Sequence, residues 1–394
     1  MSGRAIAGAS LAIGAVGWNF SSIGAIADPI GRAYSVGLPT VGVMTAALVA
    51  SHTLFNIPGG RAIDRFGARR MIIVGLLIIV LTNAVLLTTP SLELVLGMRF
   101  LMGVGTALGF VGSIDYVRAL GDTSTLAEGL VGGASIGGAG IALAAVPLLE
   151  PALGWRAPHI SGLAVALLAL FVLVVLWDRA AVSAGHPGAH ETGQEVRKLW
   201  HDGRLYRLAA MHMASMGLSV VVGNWVVTLL VRSADYSQRG AGAVGSLTLL
   251  LALVSRPAAA TLTRARPDLT RRLVAASLLL GAAGTAVLAT APALALAVPA
   301  AATVGIASGI PFGHVMRAVA AARPEAPATA VGLTNMLANL VALVATPLIG
   351  LSFSLPGGGR LGFAIIAALW VGALLALPPR RLIEPRAGAT LAVP

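Results

Sequence analysis

The sequence predicts an all-α membrane protein of twelve transmembrane helices arranged as two six-helix halves. Three observations predict it. The 394 residues are 57% hydrophobic and only 11% charged, against about 25% charged in a soluble domain, and the mean hydropathy is +0.88. Apolar runs longer than about 18 residues, the length that spans a bilayer core, recur along the chain. Segments of the first half also return in the second. The alternating ten-residue segments of a membrane barrel do not occur.

The spans read, to within a few residues, as 5–27, 38–59, 71–89, 92–117, 125–148, 156–177, 205–230, 241–262, 272–290, 293–319, 328–352 and 361–378. The apolar stretch after Arg4 is too long for a signal-peptide core, and reads as the first span. Between the second and third spans lies a charged knot, Arg61, Asp64, Arg65, Arg69 and Arg70, which reads as a short loop outside lipid. The polar stretch 178–204 holds the chain's lysine, Lys198, and reads as a linker between halves 1–177 and 205–394.

Net charge is +12. With the N-terminus cytoplasmic, 19 of the 27 Lys and Arg residues fall in cytoplasmic segments and 5 outside, while Arg99, Arg256 and Arg317 fall inside spans. That asymmetry follows the positive-inside rule. It places both termini in the cytoplasm, with the protein in the cytoplasmic (inner) membrane, and it explains the basic balance without nucleic acid. The chain is read as a monomer in the lipid bilayer. The 48 glycines suit close helix packing in lipid. There is no cysteine, so disulfides and thiolate chemistry are excluded. The phosphate-loop pattern is absent, which removes that form of ATP drive. No catalytic constellation, metal cluster or cofactor motif is seen, so an enzyme is not expected.

Ionisable and amide side chains inside the spans are the functional candidates, because lipid makes them expensive. Arg256 lies deep enough in the eighth span to face a central cavity and offers a fixed fork to an oxyanion; the competing reading is that it snorkels to the surface. Arg99, in the fourth span, reads equally as a structural partner of a neighbouring helix. His52 and His314 could titrate near neutral pH and make protons the coupling ion, or serve as helix contacts; His212 is a weaker candidate. Trp18-Asn19 and Asn224-Trp225 form a matched set in the first and seventh spans, able to bond and stack a small planar solute. For Trp225 an interfacial tryptophan belt competes with that role. Asn335 and Asn339 are four apart and share a helix face.

The duplication is visible in Gly103-Val-Gly105…Gly109-Phe110 against Gly305-Ile-Ala307…Pro311-Phe312. It recurs in Gly129-Leu130 against Gly332-Leu333, and in Pro58 against Pro257. Parallel six-helix repeats place a binding site between them at mid-membrane.

Gly60-Arg-Ala-Ile-Asp64-Arg65-Phe-Gly67-Ala-Arg69 resembles the loop motif of the major facilitator superfamily, and Arg99-Phe-Leu-Met-Gly103-Val-Gly105 its fourth-helix motif. The resemblance implies the major facilitator fold and secondary active transport of a small-molecule solute. It makes Gly60, Asp64, Arg65, Gly67 and Arg69, with Asp115 and Arg118, a cytoplasmic charge network that latches the halves. Asp64 is then expected against the start of the eleventh helix. A finer likeness is to the nitrate/nitrite porter group, carried by Arg256-Pro257 and Asn339. There an arginine in each half grips the anion. Here Asn56-Ile-Pro58 stands where that group has Arg-x-Pro, and Ala134-Ser135-Ile-Gly137 where it has Gly-Asn-x-Gly. With one arginine replaced, cyanate-like or organic anions fit better than nitrate. The leading expectation is a small-anion porter working by alternating access. The alternative is a proton-coupled exporter of drugs or metabolites, for which Asp28 is the loose acidic candidate.

Overall fold

A computed structural model describes residues 2–118, 124–175, 200–323 and 327–383. The first half holds α1 (Ser2–Ser21), α2 (Ala27–Ala33), α3 (Leu38–Phe66), α4 (Ala68–Leu86), α5 (Leu92–Arg118), α6 (Ser124–Leu153) and α7 (Ala157–Val175). The second holds α8 (Gly203–His212), α9 (Ser219–Ala234), α10 (Gln238–Ala265), α11 (Thr270–Ala289), α12 (Leu294–Ala322), α13 (Pro327–Ser352), α14 (Arg360–Gly372) and α15 (Arg380–Ile383).

Nine helical stretches among the described residues are long and apolar enough to cross a membrane. One of them, Gly129–Val175, runs 47 residues and folds back at Gly154, whose φ of +56° favours glycine. It therefore holds two crossings, α6 and α7. The bent pair Gly3–Ser21 with Gly24–Ala33 and the shorter Arg360–Ala376 complete twelve.

Three local features differ from expectation. The first span is not one helix: it breaks at Ser22–Ile26 and turns by 41° into α2. The seventh is interrupted by a π-helical turn, Met213–Leu218, between α8 and α9. The charged knot is not a loop. α3 runs on past Pro58 to Phe66, and a single residue, Gly67 at φ +87°, turns the chain into α4. Charge marks where lipid ends, but a helix can continue into water as long as its backbone bonds close.

The duplication is built into the packing. A Cβ on Gly103 of α5 would collide with Leu48 O and Ser51 Oγ of α3; a Cβ on Gly305 of α12 would collide with Leu247 O of α10 and lie 3.1 Å from Leu251 Cβ. Each half thus presses a glycine of its fourth crossing onto its second.

Two seams join the halves, α3 along α13 and α6 along α10. They are tightest toward the face that carries Gly37, Gly154 and Asp235. There Arg232 pairs with Asp28 (Nη2 to Oδ1 2.5 Å, Nε to the two oxygens 3.1 and 3.2 Å). Gln238 Nε2 donates to Ala25 O at 2.7 Å. A Cβ on Gly24 would stand 2.5 Å from Asn224 O. The opposite, basic face carries Gly67 and the Pro267–Leu269 turn. The expected linker, 178–204, falls mostly on residues 176–199, which lie outside the described residues.

Candidate substrate-binding site

Arg256 on α10 is 4% exposed and does not snorkel. Its Nη1 donates across the seam to Gly132 O of α6 at 2.6 Å, and its guanidinium carbon stands 3.9 Å from the centre of the Phe312 ring. The carbonyl fixes one corner of the guanidinium, and the ring fixes its plane by cation–π attraction. Among the described residues, Nε and Nη2 have no hydrogen-bond partner. Those two N–H groups point the same way along one edge of the planar group, the fork that grips two oxygens of an anion at once.

Around it the second half gathers polar groups. His212, the last residue of α8, lies with Nε2 3.2 Å from Asn335 Oδ1 of α13. Its ring centre is 5.7 Å from that of Phe312. The π turn follows His212 directly, a distortion common at functional sites. Asn339, one turn along α13, has an unpartnered Nδ2.

The first half contributes a neutral set. His52 of α3 sits between the Phe20 and Phe110 rings, at centroid distances of 5.0 and 5.8 Å. Its Nδ1 is 3.0 Å from Thr106 Oγ1, while Nε2 is unpartnered. Asn56, one turn on, is buried with neither amide atom bonded. The seam sets the levels: a Cβ on Gly42 would stand 3.0 Å from Thr346 O, and one on Gly350 3.0 Å from Leu38 O. That antiparallel register puts Asn339 level with Val49 and Asn335 level with Thr53, within about a turn of His52 and Asn56.

Other candidates lie elsewhere. Arg99 points into its own half: Nη1 donates to Asn19 O at 2.8 Å and Nε to Met44 O at 3.3 Å. Asn19 Oδ1 accepts from Asn83 Nδ2 at 2.9 Å, and Trp18 Nε1 donates to Ser161 Oγ at 3.1 Å. Trp18, Asn19 and Arg99 therefore form one network inside the first bundle. The Ser135 carbonyl lies against Gly17 where α1 crosses α6. His314 is bonded to Arg317 Nη2 at 3.0 Å and approaches Thr263 Oγ1 at 3.3 Å, a separate cluster toward the basic face. Asn224 presses on Gly24 at the sealed end, with Oδ1 unpartnered.

Trp225 is not part of an interfacial belt. It is 1% exposed, its Nε1 donates to Thr346 O at 2.8 Å, and its ring is 3.1 and 2.8 Å from Cβ positions built on Gly42 and Gly350. Small residues on both seam helices make the slot it fills.

Of the gating residues, Gly67 makes the turn, Gly60 lies within α3, and Arg65 rests 5.1 Å from the centre of the Phe66 ring. Arg69 starts α4, and Asp115 lies near the end of α5. The side chains of Asp64, Arg118 and Glu128 lie outside the described residues.

Sequence reasoning undervalued His212 and missed the roles of Phe312, Asn83 and the Asp28–Arg232 pair. The duplication held one usable signal. Phe110 and Phe312 occupy matching motif positions, and each packs on a buried histidine.

Two halves of parallel crossings, with buried polar groups at mid-depth where they meet, define a membrane transporter of small solutes rather than an enzyme. The chain belongs to the Major Facilitator Superfamily, whose family model matches residues 9–346. No curated protein sequence matches it. Among solved structures, the crystal structure of the nucleoside transporter NupG superposes with a TM-score of 0.73. The match covers 95% of this chain and 98% of that one at 13% identity, and it is a likeness of fold.

Proposed function

We propose that this transporter carries small anions, with Arg256 as the anion grip. The observation behind this reading is the free edge of Arg256: two N–H donors of a buried cation, held in plane by Phe312 and anchored by Gly132 O, with no hydrogen-bond partner. A charge at membrane depth costs about 2.5–3.5 kcal/mol on insertion scales; an anion seated in the fork offsets that cost. The nitrate/nitrite porter resemblance at Arg256-Pro257 supports the same role, and Asn56 in place of the second arginine favours organic or cyanate-like anions.

In this reading the basic face is cytoplasmic, in the inner membrane, with both termini on that side. The halves rock about the seams, the motif residues around Asp64 latch the basic face, and His52 or His314 carries a coupling proton. Against the exporter alternative stands the pairing of Asp28 with Arg232.

The test is uptake of labelled nitrate, cyanate and simple carboxylates into proteoliposomes, with and without a pH gradient. Arg256→Gln is expected to abolish uptake of whichever anion the wild type carries. Undiminished uptake by that variant overturns the assignment.

A further inference from the structure

Asn56 stands close in depth to Arg256 on the opposite half. It lies two residues before Pro58 of α3, and Arg256 lies one residue before Pro257 of α10, the matched prolines of the two crossings, so the duplication brings them within a residue of the same depth. Asn56 is 4% exposed, and both Oδ1 and Nδ2 lack a hydrogen-bond partner. A buried amide left unbonded is costly, and structures rarely keep one without a use. An amide offers a donor and an acceptor side by side and no charge. One turn back along the helix lie Thr53, whose buried Oγ1 is also unpartnered among the described residues, and His52, committed to Thr106 on one side and walled by Phe20 and Phe110. The first half's own buried cation, Arg99, gives Nη1 and Nε to backbone carbonyls of α1 and α3 and keeps only Nη2 unpartnered among the described residues.

The two walls at this level are therefore unlike: one cationic fork and one neutral amide. We infer that the preferred substrate is a monocarboxylate carrying a neutral hydrogen-bonding group, such as an amide or hydroxyl, at its far end. The carboxylate sits in the Arg256 fork and the neutral group on Asn56. A second negative charge would meet no cation on the Asn56 side, and a bare hydrocarbon end would leave the amide unbonded. This rests on the anion reading of Arg256 and adds the selection of substrate by the other half.

Three anions of matched size make the test: butyrate, succinamate and succinate at pH 7.5, with binding to the purified full chain read from the rise in its melting temperature. The wild type is expected to bind succinamate at least about tenfold more tightly than butyrate or succinate, one hydrogen-bonded group's worth of discrimination. Asn56→Leu should abolish the preference, with succinamate binding no more tightly than butyrate; Asn56→Ala serves if the leucine variant does not fold. Asn56→Arg should invert the preference toward succinate. Equal wild-type affinity for butyrate and succinamate overturns this inference while leaving the anion reading standing, and so does a preference that survives Asn56→Leu or Asn56→Ala. Absence of binding by all three to the wild type overturns this inference, while the anion reading stands or falls with the uptake of nitrate and cyanate.

Discussion

Arg99 and Arg256 carry the same charge on membrane helices, and both are almost wholly buried, yet their donors are engaged differently. Arg99 gives Nη1 to Asn19 O and Nε to Met44 O, carbonyls of α1 and α3, and so ties three crossings of the first bundle together, with Nη2 alone left unpartnered among the described residues. Arg256 gives one donor to the other half and keeps the edge made by Nε and Nη2. The difference lies in what surrounds each. Arg99 meets backbone exposed where α1 approaches its end, whereas Arg256 meets an aromatic face that can position a guanidinium but cannot accept its hydrogen bonds. In the proposed reading Arg99 is a brace because carbonyls take its Nε and Nη1, and Arg256 is a binding group because its one carbonyl leaves the Nε–Nη2 edge open.

The largest effect that could break this contrast is on stability. Arg99→Gln should cost about 1.5–3 kcal/mol, the worth of hydrogen bonds made by a charged group. Thermal melts would show that loss, while the KM for transport by the folded fraction stays unchanged. A raised KM with no change in melting would make Arg99 a substrate group instead. Next is the ring under Arg256. Phe312→Leu should weaken anion binding by about 1–2 kcal/mol, roughly 5- to 30-fold, as the cation–π contact is lost, with little change in the melt of the ligand-free protein.

The second half is braced at its edge. Asp202 caps α8 by accepting from Arg204 N–H at 2.9 Å and also accepts from Arg323 at the end of α12 at 3.0 Å. Burial pushes its carboxyl upward, but the hydrogen bonds from Arg204 and the charges of Arg204 and Arg323 outweigh that and hold it below the ordinary value. A carboxyl lowered in the folded state adds stability that is complete above its unfolded value, about 3.9, and is lost as pH falls through the folded value. Asp202→Ala should cost about 1 kcal/mol at pH 7. The gap in melting temperature between variant and wild type should narrow below about pH 4; a gap independent of pH would remove the electrostatic part of the account.

The smallest effect belongs to the pair that joins the halves. Arg232 and Asp28 are partly solvated, with side-chain exposures of 42% and 18%, so their attraction is screened and worth about 0.2–1 kcal/mol. Asp28→Asn should shift the balance of closed and open forms at that face by no more than about fivefold. Spin-label distances between positions 35 and 235 would report it, and an unchanged distribution would show that the glycine contacts alone hold the seal.

Much of the fold was legible because lipid imposes a length on every crossing. The α1–α2 break was hidden because nothing local demands it: it answers to Gly24 lying on Asn224, some 200 residues away. The knot around Arg61 to Arg70 was read as a loop because its charges exclude lipid, although they do not end a helix. At the site, Arg256 announced itself as a charge in an apolar run. Arg99 gave the same signal, and only the carbonyls within its reach separate the two. His212 looked shallow by counting from its span's end, since a π turn and its contact with Asn335 are tertiary facts.

The central claim is that Arg256 acts through its fork and not merely through its charge. Arg256→Lys keeps the charge and removes the two parallel donors. Binding of a carboxylate that the wild type transports, measured on the purified protein, should weaken at least about tenfold in the lysine variant, as expected when a bidentate contact becomes a point charge. Lysine and arginine proteins that bind that anion equally well would contradict the account.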